Sequence, residues 1–168
     1  MTDRLGVDFG GVIVEPRARG GGGDTRFHDD FLETQAVAGV AEGLAELVAC
    51  FAGEVWIVSK AGPTTARLTL EWLRATRLLA RVRLREDRVR FCRSRAEKAP
   101  ICHELGITHF IDDQPEVLGY LGGIVRYRYL FGQGAGEPVE PRIEVVRSWD
   151  HAGAVIRASI ESRTDPAA

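Results

Sequence analysis

The sequence predicts a single-domain, three-layer α/β fold, a mostly parallel β-sheet with helices on both faces. Three observations carry that prediction. The chain has 168 residues, 45% of them hydrophobic, enough for one domain with its own core, since a domain typically holds about 150 residues. Continuous apolar runs such as Val55-Trp56-Ile57-Val58 read as strands buried on both faces. These runs alternate with stretches of helical period, as in strand–helix–strand units.

The elements follow in order. Leu5–Phe9 is a short apolar strand carrying Asp8 near its end, followed by Gly10-Gly11 and the further apolar run Val12-Ile13-Val14. Arg17, Arg19 and four consecutive glycines, Gly20 to Gly23, make residues 10–30 a mobile flap loop, because glycine packs nothing and is costly to order. From Phe31 to Phe51, Val37, Val40, Ala41, Leu44, Leu47 and Val48 fall on one helical stripe, with Gly53 as a stop. The Val55–Val58 strand ends at Ser59, and Gly62-Pro63-Thr64 opens a helix with Pro in its favoured first turn. Leu68, Trp72 and Leu79 point inward from it. In 81–95, Val82 and Leu84, then Val89 and Phe91, alternate with Arg, a pattern of short strands. A helix is expected over Glu97–Leu105 with Gly106 as C-cap, a strand over Thr108–Ile111 ending at Asp112-Asp113, and a helix from Pro115 to Leu121. A strand over Ile124–Phe131, a loop over Gly132–Pro141 and a helix marked by Trp149, Ala152, Ile156 and Ile160 complete the domain, 1–162. Residues 163–168 are expected to fray.

Composition narrows the function classes. A formal net charge of −2 argues against a nucleic-acid-coating protein and against an acidic solvating chain. Cys50, Cys92 and Cys102 offer neither a pairing framework nor zinc spacing. With Met1-Thr2-Asp3-Arg4 leading straight into strand-like sequence, the expected location is the cytoplasm. No apolar run approaches the ~18 residues a membrane span needs. Lys60 and Lys98 are the only lysines among 22 basic residues. Such a bias towards Arg looks like a coding preference. It discounts Arg clusters and makes each Lys more informative.

The polar residues fall in a pattern. Asp8, Ser59 and the Asp112-Asp113 pair end three different strands, and Lys98 opens the helix before the third. In parallel sheets ligands bind at the carboxyl ends of the strands. If these strands are neighbours, three carboxylates, a hydroxyl and an ammonium converge. Carboxylates are hard ligands for Mg²⁺; the metal and the Lys would neutralise phosphate oxygens, and one carboxylate could attack phosphorus. Singly, Asp8 reads as a strand-end turn residue, Ser59 as a helix cap and Lys98 as an ordinary helix lysine. Their joint placement favours function.

The same residues carry a resemblance. Asp8-Phe9-Gly10-Gly11-Val12 after an apolar strand, Val55–Ser59, Lys98, and Phe110-Ile111-Asp112-Asp113 resemble, in order and spacing, the four motifs of the haloacid dehalogenase (HAD) superfamily of phosphohydrolases. The resemblance spans Leu5 to about Leu121. It implies a Rossmann-like fold and catalysis through an aspartyl-phosphate on Asp8. The Gly10 carbonyl and Asp113 would bind Mg²⁺ beside Asp8, and Asp112 would act behind them, through water or by pairing with Lys98. Ser59 would hold a phosphate oxygen, Lys98 would offset the crowded charge, and Gly10 and Gly11 would also face the substrate; Lys60, by its place beside Ser59, is a second candidate to balance that charge and bind substrate. In most phosphatases of this superfamily a second Asp two residues after the nucleophile protonates the leaving group. Here that position is Gly10, which leaves open a slow phosphatase, one restricted to substrates such as acyl or anomeric phosphates, or a protein that no longer catalyses. Glu15 is the nearest other acid in sequence.

The spacing between motifs leaves no room for a large cap domain. An uncapped site could admit a large phosphorylated substrate or be covered by a partner subunit, so an oligomer is possible on this reading. Arg17, Arg19 and Arg26 in the flap could grip a substrate anion. Two rivals stand beside the Mg²⁺-dependent phosphatase: a non-catalytic module of the same fold that binds a phosphorylated ligand or a protein partner, and a nucleic-acid end phosphatase using the arginines of 74–95. The interleaved Glu71, Glu86 and Asp87 favour a plain solvated surface for that stretch.

Overall fold

A computed structural model describes residues 2–16, 31–132, 140 and 142–164. Arg17, the glycine run and the other flap arginines lie outside the described residues, as do most of the expected 132–141 loop and the last four residues.

Six strands form one all-parallel sheet: β1 (Leu5–Val7), β2 (Val55–Lys60), β3 (Val89–Cys92), β4 (His109–Asp112), β5 (Tyr127–Phe131) and β6 (Ile143–Val146), in the order β3-β2-β1-β4-β5-β6. The chain builds outward from β1 to one edge, then returns to β4 and builds to the other. β1 and β4 therefore flank the point where the strand order reverses, where a crevice opens at the strands' carboxyl ends. Leu5 pairs with both Val55 and His109, so β1 is central, with Asp8 beside the end of β4. The Asp8 amide continues that ladder, donating to the Ile111 carbonyl at 2.9 Å.

Side-chain alternation along the strands divides the core in two. Leu5, Val7, Val55, Ile57, Ile111 and Tyr129 face one cluster, covered by α1 (Val40–Cys50), α2 (Pro63–Ala75), α3 (Leu78–Val82) and α6 (Trp149–Thr164). Trp56, Val58, Phe110 and Leu130 face the other, covered by α4 (Lys98–Leu105) and α5 (Pro115–Tyr120). Strands buried on both faces are apolar throughout for this reason. Gly6 sits where a Cβ would lie 2.4 Å from the Phe110 ring, so only glycine fits in β1 under that ring. Cys92 and Cys102 are buried and unpaired.

Several sequence expectations need correction. The helix expected over 31–51 is not continuous: Phe31 and Leu32 are helical, the chain leaves the helix over 33–39, and the long helix begins at Val40. Glu15 donates to the Gln35 carbonyl, Val37 to that of Ile13, and Ala36 bridges Val14. These bonds hold 35–37 extended, and Gly39, at φ 78°, turns the chain into α1. Val82 and Leu84 are not strand residues. Leu78, Leu79 and Val82 form the buried face of the one-turn helix α3, bounded by Arg77 and Arg83 in left-handed conformation, so helical spacing prevails over the alternation. β5 starts at Tyr127, since Ile124 and Val125 both donate to the Leu121 carbonyl in a turn. Helix α5 ends one residue early, at Tyr120. Helix α6 runs to Thr164, past the expected end of the domain at 162. β6 was not anticipated. Among the described residues no helix is long and apolar enough to cross a membrane.

Candidate active site

At the carboxyl ends of β1, β2 and β4 lies a cavity of about 310 Å³. Asp8, Gly10, Gly11, Ser59, Lys60, Lys98, Asp112 and Asp113 all line it; Arg17, Arg19 and Arg26, the flap arginines singled out from sequence, fall outside the described residues. Adjacency of three strands assembles the group. Lys98 reaches it from the first residue of α4, which the left-handed Gly106 terminates.

The centre is a buried ion-pair triad. Lys98, 2% exposed, donates from Nζ to Asp8 Oδ1 at 2.6 Å and to Asp112 Oδ2 at 2.7 Å. Asp112 is 0% exposed and its other oxygen accepts from the Gln114 amide at 2.9 Å. Of the two roles expected for Asp112, pairing with Lys98 is the one the geometry displays. Asp8, Asp112 and Asp113 each bring an oxygen within 4.8 Å of the others.

Asp113 is held from both sides. Gln114 Nε2 donates to its Oδ2 at 2.9 Å, and Arg95 donates to the Gln114 side-chain oxygen at 3.3 Å. On the other side is Gly11, at φ 78°, where a Cβ would lie 2.2 Å from Asp113 Oδ2. Gly11 is thus required both by its left-handed backbone and by the carboxylate packed against it. Gly10 differs: a Cβ there would meet nothing within 4 Å. Sterics do not exclude a side chain at position 10.

Trp149 Nε1 donates to the Val12 carbonyl at 3.0 Å and Trp72 Nε1 to that of Thr34 at 2.9 Å, and the Phe9 ring meets Trp72 edge-on. These contacts secure the turn after β1. Ser59 is buried at the end of β2, and its carbonyl accepts from Cys92 Sγ at 3.7 Å; Lys60 beside it is exposed. Gln114 was not singled out from sequence, and Arg95 only as one of the arginines of 74–95. Gln114 directly follows the Asp pair, but nothing in local sequence pairs Arg95 with it.

Three carboxylates share one buried ammonium, and the titration of the group reflects it. Burial raises the Asp8 pKa against the opposing pull of Lys98. Burial, and then the Asp8 charge, push Asp112 up to about 8. Burial also raises Asp113. Burial alone would lower Lys98, but Asp8 and Asp112 outweigh it and its pKa ends above the ordinary lysine value. The cluster lacks positive charge. A hard oxygen donor set with excess negative charge, on a backbone cradle that admits no Cβ at Gly11, fits a small divalent cation.

No protein-family model matches the sequence significantly, and neither does any curated protein. Solved structures do match in fold. A haloacid dehalogenase-like family hydrolase from Xanthomonas campestris superposes with a TM-score of 0.64 at 14% identity, over 96% of this chain and 98% of that one. A HAD family hydrolase from Deinococcus radiodurans R1, with bound phosphate and sodium, gives 0.62 at 16% identity, over 95% of each chain. A haloacid dehalogenase-like hydrolase from Burkholderia xenovorans LB400 gives 0.55 at 14% identity, over 82% of this chain and 65% of that one. The chain has the HAD-like Rossmann-type fold that the sequence predicts.

Proposed function

We propose that the protein is a Mg²⁺-dependent phosphohydrolase or phosphotransferase that works through an aspartyl-phosphate on Asp8. The observation that carries this reading is the Lys98 ammonium lodged between Asp8 and Asp112 beside Asp113, in a cavity at the reversal point of the sheet. The Lys98 ammonium favours the ionised form of Asp8 against the burial that raises its pKa, and the carboxylate lines the cavity, as a nucleophile requires. A cavity of about 310 Å³ suits a small phosphorylated molecule or the phosphorylated end of a larger one.

In this mechanism the Asp8 carboxylate attacks phosphorus in line with the leaving oxygen. Lys98 balances charge as the phosphate approaches the carboxylates, and the Ser59 hydroxyl and Lys60 hold phosphate oxygens at the end of β2. Gln114, braced by Arg95, holds Asp113 in place. Asp8, Asp113 and the Gly10 carbonyl would hold Mg²⁺, which when bound supplies electrostatic polarisation of the phosphoryl oxygens. The fold likeness to a hydrolase with bound phosphate supports the reading.

Bare Gly10 favours one rival, the non-catalytic module. The nucleic-acid reading is weaker: in the 74–95 stretch, Arg74, Arg81, Arg85, Arg88, Arg90 and Arg95 pair with Glu86, Glu42, Asp87, Glu54, Glu104 and Glu116, which leaves that face largely neutralised. The test is phosphate release from a panel of acyl, sugar-1- and alkyl phosphates and a phosphorylated oligonucleotide, with and without Mg²⁺, beside Asp8→Asn. Turnover needing both Mg²⁺ and Asp8 is expected. Equal silence of the two proteins would favour the module.

A further inference from the structure

Expelling an alkoxide from phosphorus needs a proton donor at the leaving oxygen, and the triad offers none. Asp8 is the nucleophile of the proposed reaction, Asp112 is held by Lys98 and the Gln114 amide, and Asp113 lies in the cation cradle. Among the described residues one more carboxyl group lines the cavity: Glu15. It is exposed, and its side chain has no hydrogen-bond or ion-pair partner among the described residues. Its backbone is pinned. Val14 bridges Gly10 on one side and Ala36 on the other, and the Glu15 amide donates to the Gln35 carbonyl at 2.9 Å. Bridged strands lie about 5 Å apart, so Val14 lies opposite Gly10, the position with open space around it, and Glu15 is the next residue along.

We propose that Glu15 is the general acid and base of this site, reaching from the neighbouring strand segment into the space left by Gly10. This rests on the phosphotransfer reading above. In the first half-reaction an Asp8 oxygen forms a bond to phosphorus, and the bond from phosphorus to the leaving oxygen breaks. Its electron pair stays on that oxygen, which takes the proton of the Glu15 carboxyl. In the second, the Glu15 carboxylate takes a proton from water as the water oxygen bonds to phosphorus. The Asp8–phosphorus bond breaks, its electron pair returning to the carboxylate, and inorganic phosphate leaves with Glu15 protonated again. Of the other described polar groups that line the cavity, Lys60 and Arg95 are cations, and Ser59, Thr65, Thr69 and Gln114 are neutral hydroxyls and an amide; none is a carboxylic acid.

The test compares kcat/KM for 2,4-dinitrophenyl phosphate, whose leaving group departs without a proton, with that for glycerol phosphate, whose leaving group needs one. In Glu15→Gln the ratio of the two is expected to rise about 100-fold, the lower end of general acid–base contributions. Adding Gly10→Asp to Glu15→Gln is expected to bring the ratio back, since position 10 has room for the replacement acid. An unchanged ratio in Glu15→Gln, with the native protein active and Asp8→Asn silent, would overturn the role of Glu15 and leave the phosphotransfer reading standing. Native protein and Asp8→Asn equally inactive on both esters would overturn both.

Discussion

Replacing Lys98 by Met removes the ammonium that bridges Asp8 and Asp112 and keeps the volume. Two carboxylates within 4.8 Å of each other, both buried, then face each other with no buried cation between them. At an effective dielectric of about 20 their repulsion at that distance is about 3.5 kcal/mol, in line with the ~3–5 kcal/mol typical of breaking a buried pair. For a chain of this size each kcal/mol shifts the melting temperature by about 2–4 °C, so a fall of about 6–20 °C is expected. The assay is thermal unfolding in EDTA at pH 9, above the value of about 8 to which Asp112 is pushed. Adding Asp112→Asn removes the repulsion, so the double variant should melt above Lys98→Met alone, a coupling that independent sites would not show. The penalty should also shrink at pH 5, where the orphaned carboxylates take up protons. Lys98→Met melting with the native protein at pH 9 would refute the reasoning, because the ammonium would then not be lodged between charged carboxylates.

The remaining predictions concern the metal and the glycines. Burial and the Asp8 charge push Asp112 up to about 8 in the fold, from the ordinary carboxylate value of 3.8. Between those values the folded state binds more protons than the unfolded chain, so the stability of metal-free protein should fall as pH rises from 5 to 8. Mg²⁺ competes with those protons, so it should raise the melting temperature more at pH 8 than at pH 5, and its binding should release protons, measurable by calorimetry in two buffers of different ionisation enthalpy. Gly11→Ala forces a Cβ to 2.2 Å from Asp113 in a left-handed backbone. It should cost about 1–2 kcal/mol and weaken Mg²⁺ binding, whereas Gly10→Ala, with open space around its Cβ, should leave the melting temperature near the native value.

The sheet centre and the site were legible for one reason. β1, β2 and β4 are buried on both faces, so their apolar runs stand out, and the polar residues that end them, Asp8, Ser59 and Asp112-Asp113, mark the edge where they emerge. Lys98 was legible because lysine is rare in this chain. Elements set by distant partners were not. Val37 falls on the helical stripe read over 31–51, yet Ile13, Val14 and Glu15 capture residues 35–37 as extended chain. β6 is four residues long and follows a Gly- and Pro-rich stretch, and its pairing with Arg128–Phe131 leaves no local signature. The Arg95–Gln114–Asp113 brace is likewise tertiary: α4 and β4 separate its two ends in sequence.

The central claim is that phosphorus passes through a covalent bond to Asp8. Acid-quenched single turnover in Mg²⁺ with acetyl phosphate, followed by intact-mass measurement and peptide mapping, reads that bond directly. The account predicts one added phosphoryl group on the peptide containing Asp8, and none in Asp8→Asn. Phosphate release at an undiminished rate from Asp8→Asn, or a phosphoryl group mapped to another residue, would contradict it.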